Sequence, residues 1–169
     1  PVGQTQHLLR PEGLVWPNYA LPRYPWRVSR PADSALWCML AEQVYSPRQK
    51  AALEIRPSLY KFGGWDQGLD AWLRGQRERA WIYDPTKARL ALHVKTELWH
   101  RYHVWDILTH PESTDSDVQE LVAQALQTMH RFQPWPVVAL VAGQSPVVPA
   151  LRAIGFAPHR TLVQMVADL

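Results

Sequence analysis

The sequence predicts a single α/β domain, and two apolar runs with an amphipathic segment between them carry that prediction. Residues 102–109 are apolar or β-favouring, which predicts a mostly buried strand. Residues 137–141 are consecutively apolar, which is typical of a strand covered on both faces. Between the runs, apolar residues recur at helical spacing: Val118, Leu121, Val122, Ala125, Leu126 and Met129. Strand, helix and strand in this order indicate a right-handed parallel crossover, with the helix at about residues 117–131.

The turn that follows the first strand of the crossover is the place where we expect any catalytic function. Pro111 ends the strand, and the polar run 112–117 is rich in side chains that cap helices. Free backbone N–H groups collect at such a helix start and bind anionic ligands.

The segments on either side of the crossover predict further helices and strands. A short strand is expected at 26–30, and Asp33 or Ser34 is expected to cap a helix with one apolar stripe: Leu36, Met39, Leu40 and Val44. A second helix is expected at 65–79, with Leu69, Trp72 and Leu73 facing inward. The remaining elements are a hairpin of 81–83 and 90–97 around the turn 84–87, a helix from Ser145 to Gly155 and a closing strand at 161–166.

Residues 1–25 predict an extended arm rather than part of the sheet. Prolines recur along this stretch, and proline disfavours both helices and central strands. The aromatic residues Trp16, Tyr19 and Tyr24 indicate that the arm docks on the domain surface. A linker from an upstream domain is the alternative. The domain itself is expected at 26–169.

Composition and charge exclude several classes of protein. A chain of 169 residues with 47% hydrophobic and 20% charged residues fits one soluble domain. The net charge of +3 is small, and the basic residues are scattered, so we expect no nucleic-acid partner. No apolar run is long enough to span a membrane. The single Cys38 excludes an internal disulfide and favours the cytoplasm. Because the first residue is Pro rather than Met, we expect the chain to be a portion of a longer protein.

The order of elements resembles that of the GNAT superfamily of acyl-CoA N-acyltransferases over about residues 26–169. The best local match is 151–156, LRAIGF, which resembles the ending of the family's closing helix. The break at Pro111 resembles the family's Val-x-Pro step, with Thr109 in place of Val. The resemblance implies a mixed central sheet flanked by helices, with acetyl-CoA as the cofactor.

The resemblance assigns the phosphate-binding turn to positions that depart from the family's motif. The expected cofactor contacts are Thr109, Thr114, Asp117, Val118 and Gln119. In the family, a Gln/Arg-x-x-Gly-x-Gly/Ala loop lets backbone N–H groups approach the CoA pyrophosphate. Thr114, Asp117 and Gln119 stand at the three motif positions, and the carboxylate repels phosphate. Aspartate is also ordinary at a helix start, and this structural explanation needs no ligand.

The catalytic positions that the resemblance implies are also altered. The family's usual general acid, a tyrosine, aligns with Leu151, which cannot donate a proton. Its strand carboxylate aligns with His103, which could act as a general base. The competing interpretation, which we favour, is that His103 is a packed, hydrogen-bonded core residue.

Gly63, Gly64 and Trp65 fall where the family's acceptor-binding loop lies and are the predicted contacts to a small-molecule or peptide amine. A metal site is not expected. The nearest group of possible ligands is His93, His100, His103 and Asp106, and neighbouring strand residues point to opposite faces.

Two functions therefore remain open. The first is a GNAT-like domain with weak or lost acetyl-CoA binding that serves as a binding or regulatory module, beside an upstream domain or a second copy of itself. The alternative is an active acyl-CoA-dependent N-acyltransferase with an atypical phosphate loop.

Overall fold

The chain alternates strands and helices around one mixed sheet. The computed structural model describes residues 3–11, 26–47, 49–50, 57–62, 64–83, 89–130, 132–142 and 145–164. Its strands are β1 (Gly3–Arg10), β2 (Arg27–Val28), β3 (Gln76–Tyr83), β4 (Leu90–Glu97), β5 (Tyr102–Thr109), β6 (Val137–Ala142) and β7 (Ala157–Gln164). Its helices are α1 (Ser34–Val44), α2 (Trp65–Leu73), α3 (Asp115–Met129) and α4 (Val147–Ala153).

In the described part of the chain the sheet has the strand order β2-β3-β4-β5-β6-β1-β7. Strands β5 and β6 are parallel, and every other neighbouring pair is antiparallel. The predicted crossover is therefore confirmed: α3 joins β5 to its parallel neighbour β6. The mixed sheet with flanking helices confirms the predicted fold class.

The predicted hairpin is confirmed in its pairing, because β3 and β4 are antiparallel neighbours. Its turn lies outside the described residues. The helix expected at 65–79 is wrong in its second half, since α2 ends at Leu73 and β3 begins at Gln76. The chain reverses at Gly75, which has a φ of +67°, a conformation that glycine adopts without strain. The charged residues that suggested a basic helix end form the exposed start of a strand instead.

The inward face predicted for α2 is also wrong. Leu69, Trp72 and Leu73 are 53%, 70% and 66% exposed. The strand beside α2 begins with charged, exposed residues, and the small residues Gly68 and Ala71 help to line a cavity that separates the two elements. Helical spacing identifies an apolar face, but it does not say whether a neighbouring element covers that face.

The first strand corrects the prediction that no central strand lies in residues 1–25. Strand β1 lies between β6 and β7 and pairs with both, and its Leu8 is fully buried. Gly3–Arg10 fits between Pro1 and Pro11, so no proline interrupts the ladder. This segment thus belongs to the sheet rather than to a surface arm. The docking predicted for Trp16, Tyr19 and Tyr24 lies outside the described residues.

The core forms two apolar layers, one on each face of the sheet. The face under α3 and α4 includes Trp81, Trp105, Leu121 and Phe156. The opposite face packs under α1 through Trp37, Tyr60, Phe62, Ile82 and Leu108. Because successive strand residues point to opposite faces, odd-numbered residues of β5 face α3 and even-numbered ones face α1. This alternation decides which candidate functional side chains can meet.

Candidate functional site

Strands β5 and β6 separate towards their C-terminal ends and leave a wedge between them. Their pairing runs from His103–Val137 to Asp106–Leu140 and goes no further. Beyond it, β6 continues beside β1 while the end of β5 stays with β4. Ligands of α/β sheets bind outside the carboxyl ends of strands where neighbours diverge. The wedge is therefore the first candidate for a binding site.

A pair of hydroxyl groups bridges the wedge. The Oγ1 of Thr109, at the end of β5, lies 3.0 Å from the Oγ of Ser145, which precedes α4. The Val147 N–H donates to the same serine oxygen over 3.4 Å. Thr109 was predicted as a cofactor contact, and the structure places it buried at the wedge, bonded within the protein.

The N-terminus of α3 is capped by its own side chains. Thr114 Oγ1 accepts a hydrogen bond from the Asp117 N–H at 3.2 Å, and Asp117 Oδ2 accepts one from the Thr114 N–H at 2.8 Å. This reciprocal arrangement is a capping box, here with Asp at its third position. Asp117 is buried, and its Oδ2 lies 3.9 Å from Arg89 Nη1.

The other two predicted cofactor residues diverge from this cap. Val118 is buried in the core under α3, whereas Gln119 faces solvent. Of the predicted positions, the structure thus brings together Thr114 and Asp117 at the helix start. It directs Val118 and Gln119 away from each other, as one step along a helix requires.

His103 is fully buried and held through both ring nitrogens. Its Nδ1 lies 2.9 Å from Thr96 Oγ1, and its Nε2 lies 3.0 Å from the carbonyl oxygen of Gln133. The carbonyl can only accept, so Nε2 carries the proton and Nδ1 accepts from the Thr96 hydroxyl. The ring stacks on Trp135 with centroids 5.6 Å apart. Burial lowers the pKa of His103, and the hydrogen bond to Gln133 acts in the opposite direction.

The position of His103 separates it from the wedge. It lies at the first paired position of β5, whereas the strands diverge after Asp106. Its catalytic role stays a prediction. Leu151, which stands where the family's tyrosine would lie, is fully buried in the core.

A different acidic residue lies at the start of the wedge. Asp106 is the last residue of β5 that pairs with β6, and its side chain is on the α1 face. Burial raises the pKa of Asp106, while the neighbouring His93 acts in the opposite direction. Among the described residues, none donates a hydrogen bond to its carboxyl group. A carboxyl whose pKa is raised is a stronger base and is suited to accept a proton.

Polar side chains connect Asp106 to the edge of the sheet. His93 is its cross-strand partner on β4, and His93 Nε2 lies 3.5 Å from Glu78 Oε2 on β3. The nearby His93 lowers the pKa of Glu78, against the opposing effect of burial. Burial also raises the pKa of Tyr45 and of Tyr60, with a further contribution from the charge of Asp106.

A cavity of about 470 Å³ opens on this same face, between α2 and β3. Gly64 and Phe62 help to line it, and the Phe62 ring lies 4.5 Å from the ring of His93. Gly64 is one of the three predicted acceptor contacts. Gly63 and the side chain of Trp65 lie outside the described residues. The cavity and Asp106 are thus linked through Phe62 and His93.

The sequence interpretation missed Asp106 as a candidate base because it aligned the family's carboxylate with His103. The two residues are three positions apart and face opposite sides of the sheet. The available signal was an aspartate within an otherwise apolar strand, where a charge is costly unless it has a role. Its pairing with His93 depends on the register of β4 and β5, which the sequence does not reveal.

Two further observations concern the residues that the structure describes. Among them, no three His, Cys, Asp or Glu side chains are grouped closely enough to hold a metal ion. No helix within the described ranges is long and apolar enough to cross a membrane.

Comparison with solved structures identifies the architecture. A GCN5-related N-acetyltransferase from Anabaena variabilis superposes with a TM-score of 0.58 over 95% of this chain and 39% of that chain, at 14% identity. The chain has the GNAT fold. A tandem GNAT protein from the clavulanic acid biosynthesis pathway gives 0.58 over 95% and 51%, at 18% identity. A GCN5-related N-acetyltransferase from Sphaerobacter thermophilus gives 0.52 over 95% and 50%, at 11% identity.

The solved structures agree with the GNAT resemblance that the order of elements suggested. No family model matches the sequence, and no curated protein matches it. This chain spans between two fifths and about half of the length of those three solved structures. The end of β5 and the start of α3 are the segments that the sequence resemblance assigned to CoA, and this assignment stays a prediction.

Proposed function

We propose that this GNAT-fold domain binds acetyl-CoA weakly or not at all and serves as a binding or regulatory module. The observation that carries the proposal is the buried Asp117 carboxylate at the start of α3, bonded to the Thr114 N–H. A helix start binds a pyrophosphate through free N–H groups and its positive dipole end. Here the cap already engages the Thr114 and Asp117 N–H groups and places a negative charge beside them.

The expected loss of affinity follows from charge and from geometry. A carboxylate about 4 Å from a phosphate charge costs about 1 kcal/mol in wet surroundings and more where water is excluded. A ligand would also have to displace the cap, whose loss costs about 1 kcal/mol. Since about 1.4 kcal/mol changes an affinity tenfold, a micromolar site would move towards the millimolar range.

A module of this kind would work beside another domain or a second copy of itself. Each of the three solved structures is about twice as long as this chain or longer, and one of them is a tandem GNAT protein. These lengths support a partner in the same polypeptide. An upstream domain with an intact phosphate loop would bind acetyl-CoA and carry out acyl transfer, whereas the capped start of α3 in this domain disfavours binding of the CoA pyrophosphate.

The alternative function is an active N-acyltransferase, and Asp106 is the observation that favours it. Its carboxyl lies where β5 and β6 diverge and is linked through His93 to the cavity that Gly64 lines. In that reaction Asp106 would take a proton from an acceptor amine. The amine nitrogen would form a bond to the acyl carbon as the carbon–sulfur bond breaks, and CoA would leave as a thiolate. The acceptor would be a small-molecule or peptide amine.

Calorimetric titration with acetyl-CoA and with CoA tests the proposal. We expect no saturable binding below the millimolar range, and Asp117→Asn should bind more tightly than the unchanged chain because it removes the repelling charge. Asp70→Asn, on exposed α2, is the control for loss of one charge. A low-micromolar dissociation constant for the unchanged chain would overturn weak binding. Acyl transfer that Asp106→Asn abolishes would establish the alternative.

A further inference from the structure

A second cavity lies on the other face of the sheet, at the opposite end of β5 from the wedge. Its volume is about 330 Å³, within the range of small-molecule sites. Phe132, Gln133 and Trp135, which lie between α3 and β6, form one side of it. His103 helps to line it and lies six positions before Thr109, which is at the wedge. At about 3.3 Å per residue, the two sites are about 20 Å apart.

Two arginines on β3 border this cavity. Arg77 and Arg79 alternate with Glu78 and therefore share the α3 face with Trp81. Within the described residues, no hydrogen bond or ion pair engages either guanidinium group, and both residues are exposed. Glu78 also helps to line the cavity, but its carboxylate lies on the α1 face, with Oε2 3.5 Å from His93 Nε2. Two unengaged guanidinium groups on one face of a strand favour an anionic ligand.

The far wall of the cavity is aromatic and already fixed in place. Trp135 is half-buried and stacks on His103, whose two nitrogens are bonded to Thr96 and Gln133. Phe132 packs edge-on against the same imidazole, with centroids 5.5 Å apart. Since His103 is held in this way, Trp135 is presented to the cavity on a rigid support. A tryptophan face binds flat, apolar groups.

We propose that this cavity binds a small organic anion, in which a carboxylate or phosphate group is joined to a flat, apolar body. The anionic group contacts Arg77 and Arg79, and the flat body packs against Trp135. Arginine binds both carboxylate and phosphate with two parallel hydrogen bonds, so either anionic group can be held by the two guanidinium groups. His103 acts as a positioning residue that supports the indole. The proposal does not depend on CoA binding at the wedge.

The test uses three probes and calorimetric titration of the whole chain. Indole-3-acetate and phenyl phosphate are the carboxylate and phosphate anions, and indole-3-acetamide is the uncharged counterpart. We expect at least one of the two anions to bind saturably. If the carboxylate is the preferred group, indole-3-acetamide should bind at least tenfold more weakly than indole-3-acetate. The indole N–H resonance of Trp135, assigned with Trp135→Phe, should shift on addition of the bound anion. Absence of binding by both anions into the millimolar range overturns the proposal.

Variants locate the binding. The double variant R77Q/R79Q should weaken binding of the anion at least tenfold, because it removes both guanidinium groups. The variant should fold, because both positions are exposed. Arg152→Gln is the control for loss of charge, since Arg152 is exposed on α4, away from the cavity, and its substitution removes one positive charge where the double variant removes two. An equal loss of affinity in Arg152→Gln would show non-specific attraction and overturn the proposal. These variants leave the α3 start unchanged, so their result is separable from the acetyl-CoA titration.

Discussion

Asp117 and Thr114 cap the start of α3 reciprocally: Asp117 Oδ2 accepts both the backbone N–H of Thr114, at 2.8 Å, and its hydroxyl, at 2.9 Å. Thr114 Oγ1 in turn accepts the Asp117 N–H. The same two residues therefore determine the stability of the helix start and the charge that an incoming phosphate would meet. These two properties can be separated by substitution.

We expect Asp117→Ala to lower the free energy of unfolding by about 1 kcal/mol, the usual cost of losing a helix cap. Glu112→Ala, which removes an exposed charge just before the helix, should change it by less than about 0.5 kcal/mol. Urea unfolding followed by circular dichroism measures both. If the two variants had equal stability, the capping box would contribute nothing.

The second prediction concerns His103 and the pH dependence of stability. Burial lowers the pKa of His103 in the folded protein, so the unfolded chain binds its proton first as pH falls. The stability that neutral His103 contributes is therefore fully present above the usual histidine pKa of about 6.5. This stability is lost as the pH falls from there through the pKa that His103 has in the folded protein. His7, whose pKa is also lowered by burial, contributes with the same sign. Urea unfolding between neutral and mildly acidic pH should show a weaker dependence for His103→Leu than for the unchanged chain. An unaltered slope would contradict the prediction.

The helices and strands that the sequence predicts are those whose pattern of apolar residues lies within a single continuous segment. The runs that became β5 and β6, and the apolar stripe of α3, are each visible without knowledge of their partners. Strand β1 was missed because its partners β6 and β7 are far along the chain, and a short proline-bounded segment alone does not reveal them.

The same limit applies to the candidate site. The helix was predicted from about residue 117 and begins at Asp115, because the capping residues that mark its start are close in sequence. The link from Asp106 through His93 to Glu78 spans three strands, so it exists only once the register of β3, β4 and β5 is set. The alignment that chose His103 selected a residue on the other face.

The third prediction compares a glycine within α2 with a glycine just after it. Gly68 lies within the helix with open space where a Cβ would be, so Gly68→Ala should raise the free energy of unfolding by about 0.5 to 1 kcal/mol. Gly75 has a φ of +67°, and a Cβ there would meet the Trp99 indole. Because Trp99 is 75% exposed and able to shift, the left-handed backbone supplies the main cost, about 1 to 2 kcal/mol. Thermal or urea unfolding checks both signs. Stabilisation by Gly75→Ala would be inconsistent with the turn described.

The last prediction is that Asp106 reduces stability at neutral pH and that Asp106→Asn relieves this cost. Burial raises the pKa of Asp106 in the folded protein, so between the unfolded and folded pKa values the folded state holds the proton and the unfolded state does not. The contribution of Asp106 to stability is complete below the usual aspartate pKa of about 4 and is lost as pH rises from there through the folded pKa. The free energy of unfolding of Asp106→Asn should therefore rise relative to that of the unchanged chain as pH rises from about 4 to 7. Below that range the difference between the two free energies should change little.

Urea unfolding at a series of pH values measures this difference in the free energy of unfolding, and Asp70→Asn on the exposed side of α2 is the matched control. A difference that is independent of pH would contradict the raised pKa. If Asp106→Asn both stabilised the chain and abolished acyl transfer, the carboxylate would be one that is retained for chemistry at a cost in stability, and the enzyme alternative would be favoured.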